Sequence, residues 1–210
     1  MSLVAPVRRP VLADLIARPS GRARAVALDA ALVLVGAAFV AALAQLEVPL
    51  WPVPVTGQTL GVVVVGAALG ARRGSAALLT YLFAGLAGLP VFAGFTGSIA
   101  AVAKPSFGFV IGFVVAAFVA GWFAERAWDR RPVLAFAGFV LASAIPFVFG
   151  VPYMAFILNV VGRGSYGVAE ILSFGLWPFV VGGLVKAALA AALIPAAWAA
   201  VRAAEGSARR

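Results

Sequence analysis

Lys186 is the one charged residue in a long apolar stretch, WPFVVGGLVKAALAAALI, residues 177–194. Along a helix it lies roughly 14 Å from Trp177 and roughly 18 Å from Trp198. A hydrocarbon core is about 30 Å thick, so this amine sits near mid-membrane. Both interfaces are then beyond the reach of a lysine stem. Holding the charge there costs about 2.5–3.5 kcal/mol even on mild insertion scales. Two kinds of chemistry justify such an amine. It can donate hydrogen bonds and charge to a ligand in a polar cavity, or it can act as a base or Schiff-base former in an intramembrane enzyme.

Few other residues could share that work. Gln58, flanked by Thr56 and Thr59, opens an apolar run; its amide must be hydrogen-bonded inside the bundle. It serves either a ligand or, with Thr56 as N-cap, the start of a helix. Tyr81 is mid-run, where a buried hydroxyl normally finds a partner within the protein. Phe92 lies in PVFAGF, a segment too apolar for a free loop and suited to fold over a mouth as a lid; an interfacial aromatic belt is the other reading. The chain has no cysteine and no histidine. Disulfides, thiolate chemistry, His-type metal sites and His acid–base catalysis are therefore excluded, and no cofactor or metal is expected. Its seven acidic residues are too scattered to pair at one buried site.

The elements that position these residues are membrane spans. The 210 residues are 64% hydrophobic and 11% charged, which excludes an ordinary soluble domain. An all-α integral membrane protein with six transmembrane helices fits, over about 25–46, 56–69, 74–89, 107–123, 133–149 (kinked at Pro146) and 176–201. Residues 1–24 form a basic cytoplasmic arm with a short helix near 11–16, residues 25–201 the membrane domain, and 202–210 a cytoplasmic tail. With the N-terminus inside, thirteen arginines fall on the inner side and only Lys104 and Arg163 outside. That asymmetry places both termini in the cytoplasm of a multi-pass protein of the cytoplasmic (inner) membrane. It also assigns the net charge of +9 to membrane orientation and not to nucleic acid. The longer loops all lie outside, which puts the functional mouth there. Small residues spaced by four, such as Gly108/Gly112, read as internal helix packing; Ala37/Ala41 and Ala38/Ala42 in the first span are two such pairs that could dock another membrane protein.

Four stretches together resemble the BioY family, the biotin-binding S components of energy-coupling-factor (ECF) transporters. They are PVPVTGQTLG (52–61), YLFAGLAGLPVFAG (81–94), KPSFGFVIGF (104–113) and WPFVVGGLVKAALAA (177–191), and they occur in the family's order. The resemblance implies an S-component-like bundle with an outward pocket. It implies biotin as transported ligand, bound by Lys186, Gln58, Tyr81, Phe92 and Asn159 with Gly183 on the pocket wall. It further implies, as in many members, an ECF module of a coupling subunit and ABC-type ATPases docking on Ala37, Ala38, Ala41 and Ala42; some members work alone, and homo-oligomers are open. The chain has no G-x-x-x-x-G-K-[ST] and supplies no ATPase itself. Two departures stand out. Gly183 occupies the place of the family's last-helix aspartate, three residues before the lysine and on the same face. KPSFGF replaces a P-T-G-G-Y-like string. The alternatives are an S component for another small vitamin or biotin precursor, and a lysine-dependent intramembrane enzyme.

Overall fold

A computed structural model describes residues 8–16 and 20–207. Its helices are α1 (Arg22–Ala44), α2 (Gln58–Leu69), α3 (Ala71–Leu86), α4 (Phe107–Ala124), α5 (Pro132–Phe156), α6 (Val168–Gly175) and α7 (Trp177–Ser207). Two two-residue strands, β1 (Glu47–Val48) and β2 (Val55–Thr56), pair antiparallel with Glu47 opposite Thr56. The all-α expectation holds. Four stretches are long and apolar enough to cross a membrane: Arg22–Ala44, Phe107–Ala124, Pro132–Val161 and Val168–Glu205. α2 is a shorter apolar helix, and α3 becomes apolar only beyond Arg72 and Arg73.

Close approach through small residues builds the bundle. A Cβ on Gly112 would overlap Pro146 of α5, and one on Gly108 would overlap Tyr153. A Cβ on Gly66 would meet the Ala117 carbonyl of α4, and one on Gly74 the Cα of Gly66. The spaced glycines are therefore internal packing, as expected in lipid where dispersion contacts replace the hydrophobic effect. Gly70 is the one-residue joint between α2 and α3; its φ of +84° is a conformation glycine adopts without strain. Beyond it, Glu125 Oε1 accepts from the Ala71 N–H at 2.9 Å and satisfies an otherwise open donor at the start of α3.

Several boundaries differ from the sequence reading. α5 does not end at 149; it runs through Pro146 and Pro152 to Phe156 and closes with a π turn, Ile157–Val161. The reason is packing: a Cβ on Gly150 would strike the Phe109 ring, so this extra length stays docked on α4. The outer 150–175 segment is thus largely helical, with α6 as an additional element. α7 continues past 201 to Ser207, and α1 starts at Arg22, inside the segment read as arm. The arm is seated as well: Leu12–Leu15 forms a 3-10 turn and Val11 is fully buried.

The arginine-rich end is tied together by charge. Arg8 contacts Glu125 at 3.2 Å, and Arg73 joins Asp14 and, at 3.7 Å, Asp29. Burial alone would raise the Asp14 carboxyl, but the Val11 N–H, Arg73 and Arg8 outweigh it and hold it below the usual range. Asp129, in the turn Trp128–Arg130 before α5, is 1% exposed and accepts from Trp198 Nε1 of α7 at 2.6 Å. Burial pushes its carboxyl up to about 6 against the opposing pull of Trp198 and Arg130.

Candidate functional site

At the opposite end the α1–α2 and α3–α4 connections close a cavity of about 450 Å3 over α4, α5 and α7. That volume lies in the range of small-molecule sites. The segment between α3 and α4 forms its cover. Phe92 and Thr96 pair across a tight turn, and Gln45 of the α1 end fixes that turn. The Gln45 amide nitrogen donates to the carbonyls of Val91 (3.4 Å) and Phe92 (3.2 Å), and its oxygen accepts from the Phe95 N–H at 2.8 Å. The Tyr153 hydroxyl donates to the Val102 carbonyl and holds the far end of the cover onto α5. Trp51 meets Tyr166 and Phe174 at ring separations of 6.1 and 5.5 Å, so the first outer loop is clasped to α6.

The cavity floor is aromatic. Phe109 (α4), Phe147 (α5) and Phe179 (α7) form a mutual triad with ring centroids 5.7–6.1 Å apart. Such rings offer a flat apolar surface to a ligand body. One wall is polar. Lys186 is half-buried and its amine reaches this wall, donating to the Thr56 carbonyl at the end of β2. Among the described residues, no ion pair involves Lys186; the ion pairs lie at the other end of the bundle. The Thr56 hydroxyl donates to Gln58 Oε1 at 2.7 Å, and Gln58 Nε2 donates to the Tyr81 hydroxyl at 2.6 Å. A chain of bonds therefore runs from Lys186 through Thr56 and Gln58 to Tyr81. Thr59 also lines the cavity, and its hydroxyl oxygen is buried without a hydrogen-bond partner. An orphaned polar atom on a cavity wall is one a ligand can satisfy.

The expected ligand residues separate into three groups. Lys186, Gln58, Phe92 and Gly183 all line the cavity. Tyr81 does not: it is 1% exposed and stands behind Phe92, ring to ring at 5.4 Å, where it anchors Gln58. Asn159 is not brought to the cavity either. Its amide clasps the Tyr166 backbone, donating to the carbonyl at 3.0 Å and accepting from the N–H at 2.8 Å, and so stabilises the turn after α5. Gly183 sits one turn before Lys186, and a Cβ there would meet nothing within 4 Å. Room for a side chain is thus present where the resemblance implies an aspartate. Lys104, at the cavity mouth, donates to the Thr96 hydroxyl at 3.3 Å and was not singled out by sequence spacing. The four α1 alanines split as well: Ala37 is buried, Ala41 half-buried, and Ala38 and Ala42 exposed on one face.

Comparison with known proteins agrees with this architecture. Residues 17–203 match the BioY family. A biotin transporter BioY of Rhizobium etli is 38% identical over 149 residues, covering 68% of this chain and 76% of its own. One from Thermotoga maritima is 33% identical over 165 residues, covering 77% and 86%. The fold superposes on a crystal structure of the S-component for biotin from an ECF-type ABC transporter, with a TM-score of 0.67 and 23% identity, over 84% of this chain and 93% of the other. The protein is a multi-pass membrane protein, and by these matches the chain belongs to the BioY family.

Proposed function

We propose that the chain captures biotin at the outer face of the cytoplasmic membrane and carries it inward, as the S component of an ECF transporter or as a solitary transporter. The observation that carries this reading is the covered cavity itself. It combines an aromatic floor with a lysine whose charge has no carboxylate partner among the described residues. The bicyclic body and aliphatic tail of biotin suit Phe109, Phe147, Phe179 and Phe92. Its ureido and carboxylate groups suit Lys186, the Thr56 carbonyl and the unsatisfied Thr59 hydroxyl, with Lys104 marking the mouth. Gln58 and Tyr81 hold the polar wall in place; Asn159 acts at a distance, through the loop it closes.

Six spans with both termini cytoplasmic agree with the arginines clustered at the end opposite the cavity. Energy coupling belongs to a partner ECF module when one is present. Ala38 and Ala42, exposed one turn apart on α1, are the small-residue face available to it. The test is uptake of labelled biotin by a biotin-auxotrophic bacterium stripped of its own transporter. Expression of this chain, with or without an ECF module, restores accumulation from nanomolar biotin. Accumulation of a different vitamin, with none of biotin, overturns the ligand assignment.

A further inference from the structure

A second cavity, about 430 Å3, opens at the cytoplasmic end between the arm and the α4–α5 turn. Arg9, Arg126, Arg130 and Arg131 line it together with Trp128 and Leu134. The positive-inside rule explains why arginines lie on this side of the membrane. It does not explain why four of them, one from the arm and three from the α4–α5 turn, converge on one concavity. Among the described residues none of Arg9, Arg126 and Arg131 has an ion pair; Arg8 and Arg73 take the nearby carboxylates. Asp129 attracts Arg130 from behind; its Oδ2 accepts from Trp198 and its Oδ1 is buried without a hydrogen-bond partner.

The arginines are held in position by other contacts. Arg126 lies 3.4 Å over the Trp122 ring and donates to the Trp122 carbonyl at 3.1 Å. Arg130 lies 4.1 Å over Trp198 and donates to the Pro10 carbonyl at 2.9 Å, while its Nε is buried with no hydrogen-bond partner. Arg131 is the N-cap of α5, a 25-residue helix with no acidic residue in its first turn. The positive end of that helix therefore faces the same space through Leu134. Planar guanidinium forks and helix-start N–H groups match the oxygens of a phosphate. Trp122 and Trp128 mark the depth of the membrane interface.

We propose that this cavity is a binding site for a phosphate-bearing anion, supplied by the headgroup of an anionic phospholipid of the cytoplasmic leaflet. It is separate from the outer cavity and independent of the ligand that cavity takes.

The test uses the purified full chain, delipidated in neutral detergent. Phosphatidylglycerol, phosphatidylcholine and inorganic phosphate are titrated separately and followed by thermal shift and native mass spectrometry. Phosphatidylglycerol raises the melting temperature and gives a bound adduct, and phosphatidylcholine does neither. R126Q/R131Q weakens the phosphatidylglycerol effect at least tenfold and leaves binding at the outer cavity unchanged, which also shows that the variant folds. R22Q/R24Q removes equal charge outside the cavity and leaves the phosphatidylglycerol effect intact. A shift with millimolar inorganic phosphate equal to that with lipid assigns the site to free phosphate and overturns the lipid source. No effect of any anion, or an equal loss in both double variants, overturns the site.

Discussion

Replacing Lys186 with methionine separates what the amine does for a ligand from what it does for the fold. The ammonium has three donors, and the structure uses one on the Thr56 carbonyl. Two remain for a ligand or water in the cavity. A hydrogen bond to a charged group contributes about 1.5–3 kcal/mol. At about 1.4 kcal/mol per tenfold, its loss raises the Kd for biotin roughly 10- to 150-fold. Methionine keeps the length and the apolar stem of lysine. It also removes an amine that has no carboxylate partner among the described residues, so the melting temperature stays level or rises. Isothermal titration calorimetry of K186M gives the first quantity and a thermal melt the second. A Kd within threefold of wild type would remove Lys186 from the site. A collapse of the melting temperature would make its bond to Thr56 a structural strut and refute the argument.

Other substitutions probe the layers around that amine. Tyr81→Phe strips the partner from a buried Gln58 amide; it lowers stability by about 1–3 kcal/mol in a melt but weakens biotin only a few-fold. Gly183→Asp fits the open space before Lys186 and changes biotin affinity at least fivefold. A rise places the ureido group at this wall, its N–H donating to the new carboxylate and its carbonyl accepting from Lys186; a fall places biotin's own carboxylate there, and no change removes this wall from the site. At the arginine-rich end, burial pushes the Asp129 carboxyl up to about 6, above its ordinary 3.8. The protonated form is thus favoured by folding: its stabilisation is full below about pH 4 and is lost as pH rises through about 6, by at most about 3 kcal/mol. Asp129→Asn keeps an acceptor for Trp198 and flattens the pH dependence of the melting temperature between pH 4 and 7; an unchanged slope would mean Asp129 is ionised throughout.

What was legible in the chain follows from where each signal lives. The spans are written in runs of apolar residues bounded by arginine, so the bundle, and the orientation expected of it, come from local composition. Lys186 announces itself because a lone charge in lipid demands a reason. Gln58 and Phe92 lie beside turns whose prolines and glycines mark the cavity mouth. The aromatic floor was not legible: Phe109, Phe147 and Phe179 stand on three helices, and among the chain's sixteen phenylalanines nothing local distinguishes them. Asn159 stands away from the cavity wall for the converse reason. A polar residue in a segment read as an outer loop looks available, yet the π turn and the return of Tyr166 absorb both ends of its amide. Gln45 carries no local signal at the end of a span, although it holds the cover by three hydrogen bonds to the turn at Val91–Phe95. The continuation of α5 through two prolines depends on glycines 108, 112 and 150 matching a partner helix, a tertiary fact that overrides the local helix-breaking signal.

Equilibrium binding of biotin to the purified protein tests the central claim most directly. The account predicts one molecule of biotin per chain with a Kd below micromolar, and competition by excess unlabelled biotin but not by unrelated vitamins. Absence of binding below micromolar in a protein that melts cooperatively would contradict it.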